Sequence, residues 1–138
     1  MSKCKFTIIT VCYNAEEQIK ETINSVLSQS YTEFEYIIKD GLSADDTMEL
    51  VHSLTDNDNR VMIIQGKDNG IYDAMNIAVS QATGEYILFL NAGDKFTDEN
   101  ILQQAFDSMT PYTVLMIWIM LLKSNHRLYF GNKLSNNI

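Results

Sequence analysis

The chain has 138 residues, 46% of them hydrophobic and 20% charged, the balance of one ordinary globular domain. Its formal net charge is −8, and the charge is uneven: residues 1–110 hold all 18 acids but only seven of the ten bases, whereas residues 111–138 hold Lys123, Arg127 and Lys133 and no acid. So acidic a body excludes a nucleic-acid partner, which needs a basic face, and excludes a body lying flat on an anionic bilayer.

The first 13 residues carry the apolar, β-branched run Phe6 to Tyr13, the pattern of a strand buried on both faces. Cys4 and Cys12 sit in or beside it, match no zinc spacing, and read as reduced packing residues of a reducing, cytoplasmic compartment. No signal peptide precedes the strand. Asn14 is a candidate N-cap for a helix with Ile19, Ile23, Val26 and Leu27 on one face. Strands follow at Glu33–Asp40 and Arg60–Gln65, with a helix between them at Asp45–Leu54.

A third helix is expected over Gly70–Ala82, with Ile71, Ala74, Met75, Ala78 and Val79 inward and Gly84 as its C-terminal stop. Tyr86 to Leu90 is a fourth strand, and Glu99–Met109 a fourth helix ending before Pro111. This alternation implies a mostly parallel sheet flanked by helices, a doubly wound α/β layer. The expected division is a core over 1–110 and a truncated or atypical segment over 111–138. Within that segment Val114 to Leu122 is nine apolar residues long, too short for the ~20 of a membrane span. It reads as a buried strand or an oligomer contact through 112–122.

Four aspartates fall at or just beyond strand ends: Asp40, Asp45, Asp68 and Asp94. Carboxyl ends of parallel strands share one edge of the sheet, so these groups are expected to face one crevice, where a cation would relieve their repulsion. Asp45 and Asp46 have a competing role in opening the second helix. Lys39 and Lys67, beside Asp40 and Asp68, read as solvated lysines, and His52 and His126 as non-catalytic.

The pieces Val11 to Asn14 (VCYN), Asp40 to Thr47 (DGLSADDT), Asp68 to Asn76 (DNGIYDAMN) and Ala82 to Asp94 (ATGEYILFLNAGD) come in an order and spacing that resembles the N-terminal, nucleotide-sugar-binding half of family 2 glycosyltransferases. The resemblance covers roughly residues 5–107. It implies a GT-A (Rossmann-like) fold, incomplete at the C-terminus. It also implies a donor that is a nucleotide-diphosphate sugar, UDP-linked, and a glycan or lipid-linked acceptor in polysaccharide biosynthesis. Transfer would proceed with inversion, at the inner face of the membrane for a lipid-linked acceptor.

By the same resemblance, Val11, Cys12 and Tyr13 contact base and ribose. Asp40 accepts the imide N–H of the base, and Asp68, Asn91 and Ala92 line the nucleotide-sugar pocket. Asp94 holds Mg²⁺ or Mn²⁺ against the diphosphate. Two features depart from the family pattern. Asn91 and Gly93 stand where relatives often have Asp, and Met75 where many have an arginine beside the phosphates. No acid follows residue 110, so the catalytic base is unassigned. The alternatives are a truncated, non-catalytic nucleotide-binding or oligomerising module, and a nucleotidyltransferase. The latter is disfavoured because VCYNAEEQ has no glycine to form a phosphate loop.

Overall fold

The first strand, β1 (Phe6–Cys12), is buried at every position, as an unbroken apolar run requires. The computed structural model describes residues 6–107 and the backbone of 130–132; the run Val114 to Leu122, Cys4 and the whole question of an oligomer contact lie outside the described residues. After β1 come α1 (Ile19–Leu27), β2 (Phe34–Asp40), α2 (Thr47–Thr55), β3 (Val61–Gln65), α3 (Ile71–Gln81), β4 (Tyr86–Phe89), α4 (Ile101–Asp107) and β5 (Phe130–Asn132).

The sheet runs β3-β2-β1-β4-β5. β1 pairs in parallel with β2 on one side and β4 on the other, β3 is parallel to β2, and β5 is antiparallel to β4. The first three strands therefore step outward in one direction, and β4 returns to the far side of β1. That reversal leaves a crevice beyond the carboxyl ends of β1 and β4, the place where open α/β sheets bind ligands.

Helices cover both faces. Ile19, Ile23 and Val26 of α1, Val51 of α2 and Ile101, Leu102 and Ala105 of α4 pack on Phe6, Ile8, Tyr36, Ile38 and Leu88. On the other face Ala74, Met75 and Ala78 of α3 pack on Ile9, Val11, Ile37 and Ile87. Each fully buried Ile or Leu contributes about 1.5–3 kcal/mol of transfer free energy, so this two-sided burial is what holds the central strands.

Three local expectations are corrected. Asn14 does not cap α1. It sits at φ 48°, and α1 begins at Ile19 after a turn in which Gln18 and Ile19 donate to the Ala15 carbonyl. The Asn14 side chain instead accepts the Ala44 N–H, tying the end of β1 to the loop after β2. Gly84 is not a left-handed helix stop: α3 ends at Gln81, and its C-cap Ala82 is extended. Gly84 is required by contact, because a Cβ there would lie 2.5 Å from Thr7 Oγ1 and 2.6 Å from Thr7 N. Lys39 is not solvated but buried, with the consequences developed below.

Leu42, in the loop after β2, is held at φ 68° while 51% exposed. Left-handed backbone costs a branched L-residue about 1–2 kcal/mol, and half-exposed packing returns little of it. Leu42→Gly is therefore expected to raise stability by about 0.5–1 kcal/mol after allowance for glycine's larger unfolded-state entropy. The check is a higher denaturant midpoint at unchanged m-value.

Candidate functional site

A cavity of about 250 Å³ opens at the carboxyl edge of the sheet, lined by Val11, Cys12, Tyr13, Asp68, Gly70, Ile71 and Ala74. β1 supplies Val11 and Cys12 from its last turn of pleat, and Tyr13 follows with its side chain 64% exposed. α3 supplies the opposite wall. Gly70 opens that helix at φ 110° and ψ −178°, a conformation essentially restricted to glycine, so the chain can turn sharply from Asp68 into Ile71. The result is an apolar slot with one aromatic ring and one carboxylate at its mouth. It suits a flat ring that can lie against Tyr13 and donate an N–H to Asp68.

Asp68 is fixed from beneath. Its Oδ1 accepts the Gly70 N–H at 3.1 Å, and its Oδ2 accepts from Lys39 Nζ at 2.9 Å. The lysine hydrogen bond is the main reason its carboxyl is held below the ordinary aspartate range, against an opposing push from desolvation. A Cβ on Gly41 would stand 3.0 Å from Asp68 Oδ2 and 3.5 Å from the Tyr13 ring, so glycine at 41 leaves room for both.

Of the four strand-end aspartates only Asp68 is in the wall of this cavity, and no group of three or more His, Cys, Asp or Glu among the described residues could hold a metal ion together. Lys39 and Asp40 are adjacent on β2, so alternation sends their side chains to opposite faces. Asp40 is fully buried on the α1–α2 side. It accepts the Ser43 N–H at 2.9 Å and hydroxyl at 2.5 Å, and the Cys12 thiol at 3.6 Å. Asp45 accepts the Thr47 N–H and hydroxyl and the Glu16 N–H, which is the helix-opening role.

Asp40 thus organises the loop behind Tyr13: Ser43 in turn accepts the Asn14 N–H. Asp40→Ala would strand these donors. It is expected to cost about 2–3 kcal/mol of stability, the scale of hydrogen bonds to a charged group, measured by urea denaturation. Cys12 belongs to the same group. Burial first, and then the Asp40 carboxylate, push its thiol up to about 12, so it is an inert packing residue in the wall.

The turn after β4 forms a separate part of the edge. Asp94 N–H donates to the Asn91 carbonyl at 2.9 Å, and the Ala92 N–H reaches the Val11 carbonyl at 3.4 Å, docking the turn on the end of β1. Gly93 has φ 99°, the positive value that the third position of a type II turn demands. This is a physical reason for glycine where relatives often have aspartate. Asn91 Oδ1 is buried with no hydrogen-bond partner. An unpartnered amide oxygen three residues before Asp94 fits a hard divalent cation, provided diphosphate oxygens and water complete its shell.

Met75 is buried against the sheet. Asn76 is exposed, and Asp73 accepts the Asn69 N–H at the start of α3. Exposed His52 bonds Asp56 on α2. Lys39 is the contributor that sequence reasoning missed. A lysine directly after the apolar run Tyr36–Ile38, one residue before the strand end, was the available signal.

A mostly parallel sheet with this reversal, covered by helices on both faces, defines a protein of the GT-A fold. The family model for glycosyl transferase family 2 matches residues 7–130, and the chain belongs to that family. It is 34% identical over 99 residues to TuaG of Bacillus subtilis, a glycosyltransferase named for teichuronic acid biosynthesis, covering 71% of this chain and 39% of that one. It is 33% identical over 104 residues to the poly(ribitol-phosphate) β-N-acetylglucosaminyltransferase TarS of Staphylococcus aureus, covering 73% of this chain and 18% of that one.

The crystal structure of TarS residues 1–349 with UDP-GlcNAc superposes with a TM-score of 0.69 at 31% identity, over 75% of this chain and 30% of that one. A mannosyltransferase from Pyrobaculum calidifontis, solved with GDP-Man and Mn²⁺, shares the fold with a TM-score of 0.71 at 22% identity, over 80% of this chain and 34% of that one. The chain therefore spans well under half the length of these relatives. No helix among the described residues is long and apolar enough to cross a membrane.

Proposed function

We propose that this chain is the donor-binding part of a glycosyltransferase that moves a sugar from a UDP-linked donor to a glycan or lipid-linked acceptor, with inversion. The observation that carries the reading is the slot between Tyr13 and Asp68 at the sheet's reversal point, in a chain whose relative TarS was crystallised with UDP-GlcNAc. In this reading the base lies against Tyr13 and donates its imide N–H to Asp68. That role moves from Asp40, which is buried behind the loop with its oxygens occupied. Val11 and Cys12 border the base and ribose, and Asn91 and Ala92 run beside the diphosphate.

Asp94 and Asn91 Oδ1 are the oxygen donors for Mg²⁺ or Mn²⁺, which when bound would neutralise charge on the departing nucleoside diphosphate. The acceptor oxygen forms a bond to the anomeric carbon as the bond from that carbon to the diphosphate oxygen breaks. The group that takes the acceptor's proton is unassigned. In this reading the transfer takes place in the cytoplasm, at the inner face of the membrane when the acceptor is lipid-linked.

Titration calorimetry with UDP and Mn²⁺, beside assays of UDP-sugar hydrolysis and transfer, tests the reading. Metal-dependent UDP binding with turnover supports it. Binding without turnover supports a nucleotide-binding module, and no binding of any nucleoside diphosphate overturns both.

A further inference from the structure

Lys39 is the last but one residue of β2 and is 1% exposed, a rare state for a lysine. An ammonium group has three donor hydrogens and no acceptor. Three oxygens receive them: the Asp40 carbonyl at 2.9 Å, the Gly66 carbonyl at 2.7 Å and Asp68 Oδ2 at 2.9 Å. No donor remains for a ligand. Lys39 nonetheless ties three segments at the cavity, namely the end of β2, the residue after β3 and the loop that delivers Asp68.

The alternatives for this position are informative. An apolar residue would satisfy the strand pattern at lower desolvation cost and would leave Asp68 a tethered but uncompensated carboxylate. The donor proposed above carries a diphosphate, and Asp40, Asp73 and Asp94 already lie at or near this edge, so a further bare negative charge would oppose its approach. Among the described residues no basic side chain lines the cavity. The other ionisable groups around the pair are Tyr13 at the mouth, Asp73 at the start of α3 and exposed Lys67 on the loop.

Resting on the nucleotide-sugar reading, we infer that Lys39 is a positioning residue for donor recognition. Its ammonium group holds Asp68 over Gly41, leaving a second lone pair for the base on carboxylate oxygens that accept one hydrogen bond apiece, and cancels the charge that would repel the diphosphate. It acts through Asp68 and does not itself touch the ligand.

The experiment measures UDP affinity of the 138-residue chain, with Mn²⁺ present, at pH 7.5 and pH 5.5, for the unaltered protein, Lys39→Met, Asp68→Asn and the double variant. Lys39→Met is expected to weaken binding about tenfold at pH 7.5, the scale of a lost charged partner. It should weaken binding further at pH 5.5. The unaltered Asp68 has its pKa depressed by Lys39 and stays ionised across this window. Without the ammonium its pKa rises, so a larger fraction is protonated at the lower pH and the acceptor is partly lost.

The double variant should bind no worse than Asp68→Asn alone, because both changes remove one interaction. Equal affinity of Lys39→Met and the unaltered protein at both pH values, or additive losses in the double variant, would overturn the positioning role while leaving the nucleotide reading intact. An unaltered protein that binds no nucleoside diphosphate overturns both. Should Lys39→Met fail to fold, Lys39→Gln keeps N–H donors for the backbone carbonyls without the charge. Its affinity must show the same drop and pH dependence, or the inference is wrong.

Discussion

Gly84→Ala is expected to destabilise the domain by about 3 kcal/mol or more, the upper range for forcing a methyl group into a filled interior. The reason is what the methyl would meet. The nearest atoms are Thr7 Oγ1 at 2.5 Å, Thr7 N at 2.6 Å and the Phe6 carbonyl carbon at 2.7 Å. Two of these are backbone of the central strand and cannot swing aside.

The approach is close because residues 83–84 are clamped there. The Gly84 N–H donates to Thr7 Oγ1 at 2.8 Å and to Glu35 Oε1 at 3.2 Å, and the Thr83 hydroxyl donates to Glu35 Oε2 at 2.9 Å. A methyl group would open this clamp and shift the start of β4 against β1. Urea denaturation of Gly84→Ala measures the loss. A change below about 1 kcal/mol, the scale of a tolerated surface change, would mean the chain can slide and the contact is not what selects glycine.

Asp94→Ala is expected to remove the metal dependence of nucleotide binding while leaving the fold intact. UDP affinity in Mn²⁺ should fall by about 100-fold, equivalent to ~3 kcal/mol and within the several kcal/mol that a cation contributes beside phosphate oxygens. Affinity in EDTA should be unchanged. The turn itself survives because its closing bond is main chain, Asp94 N–H to the Asn91 carbonyl, and Gly93 supplies the positive φ. Asn91→Ala, which deletes the buried unpartnered oxygen, should give a smaller loss of the same metal-dependent kind. Mn²⁺-dependent UDP affinity that Asp94→Ala leaves unaltered would sink the metal assignment.

Much of the architecture is legible because burial writes itself into residue type. The run from Phe6 to Cys12 is wholly apolar or β-branched because both its faces are covered, and α1 and α3 carry their inward residues at helical spacing for the same reason. Boundaries fared less well where loops set them. Asn14 has the chemistry of a cap, yet its side chain is drawn to Ala44 across 30 residues, an attraction that no local pattern records. Gly84 has the position of a helix stop, yet its role is set by Thr7, 77 residues away.

The site divides in the same way. Sequence by itself determined the order of β1 to β4 and α1 to α4 and the motifs that place the chain in its family, but not the antiparallel β5. The family resemblance named Val11, Cys12, Tyr13 and Asp68 as pocket residues, and the cavity is lined by all four. Only the tertiary structure decided which strand-end carboxylate faces the cavity. Neighbours on a strand point to opposite faces, so Asp40 went behind the loop, while Lys39 went under Asp68. A strand's alternation is local, but which of its faces becomes the ligand's is decided by which helix covers the other. That choice is made by packing at long range, where the residues of α3 and of β1 first meet.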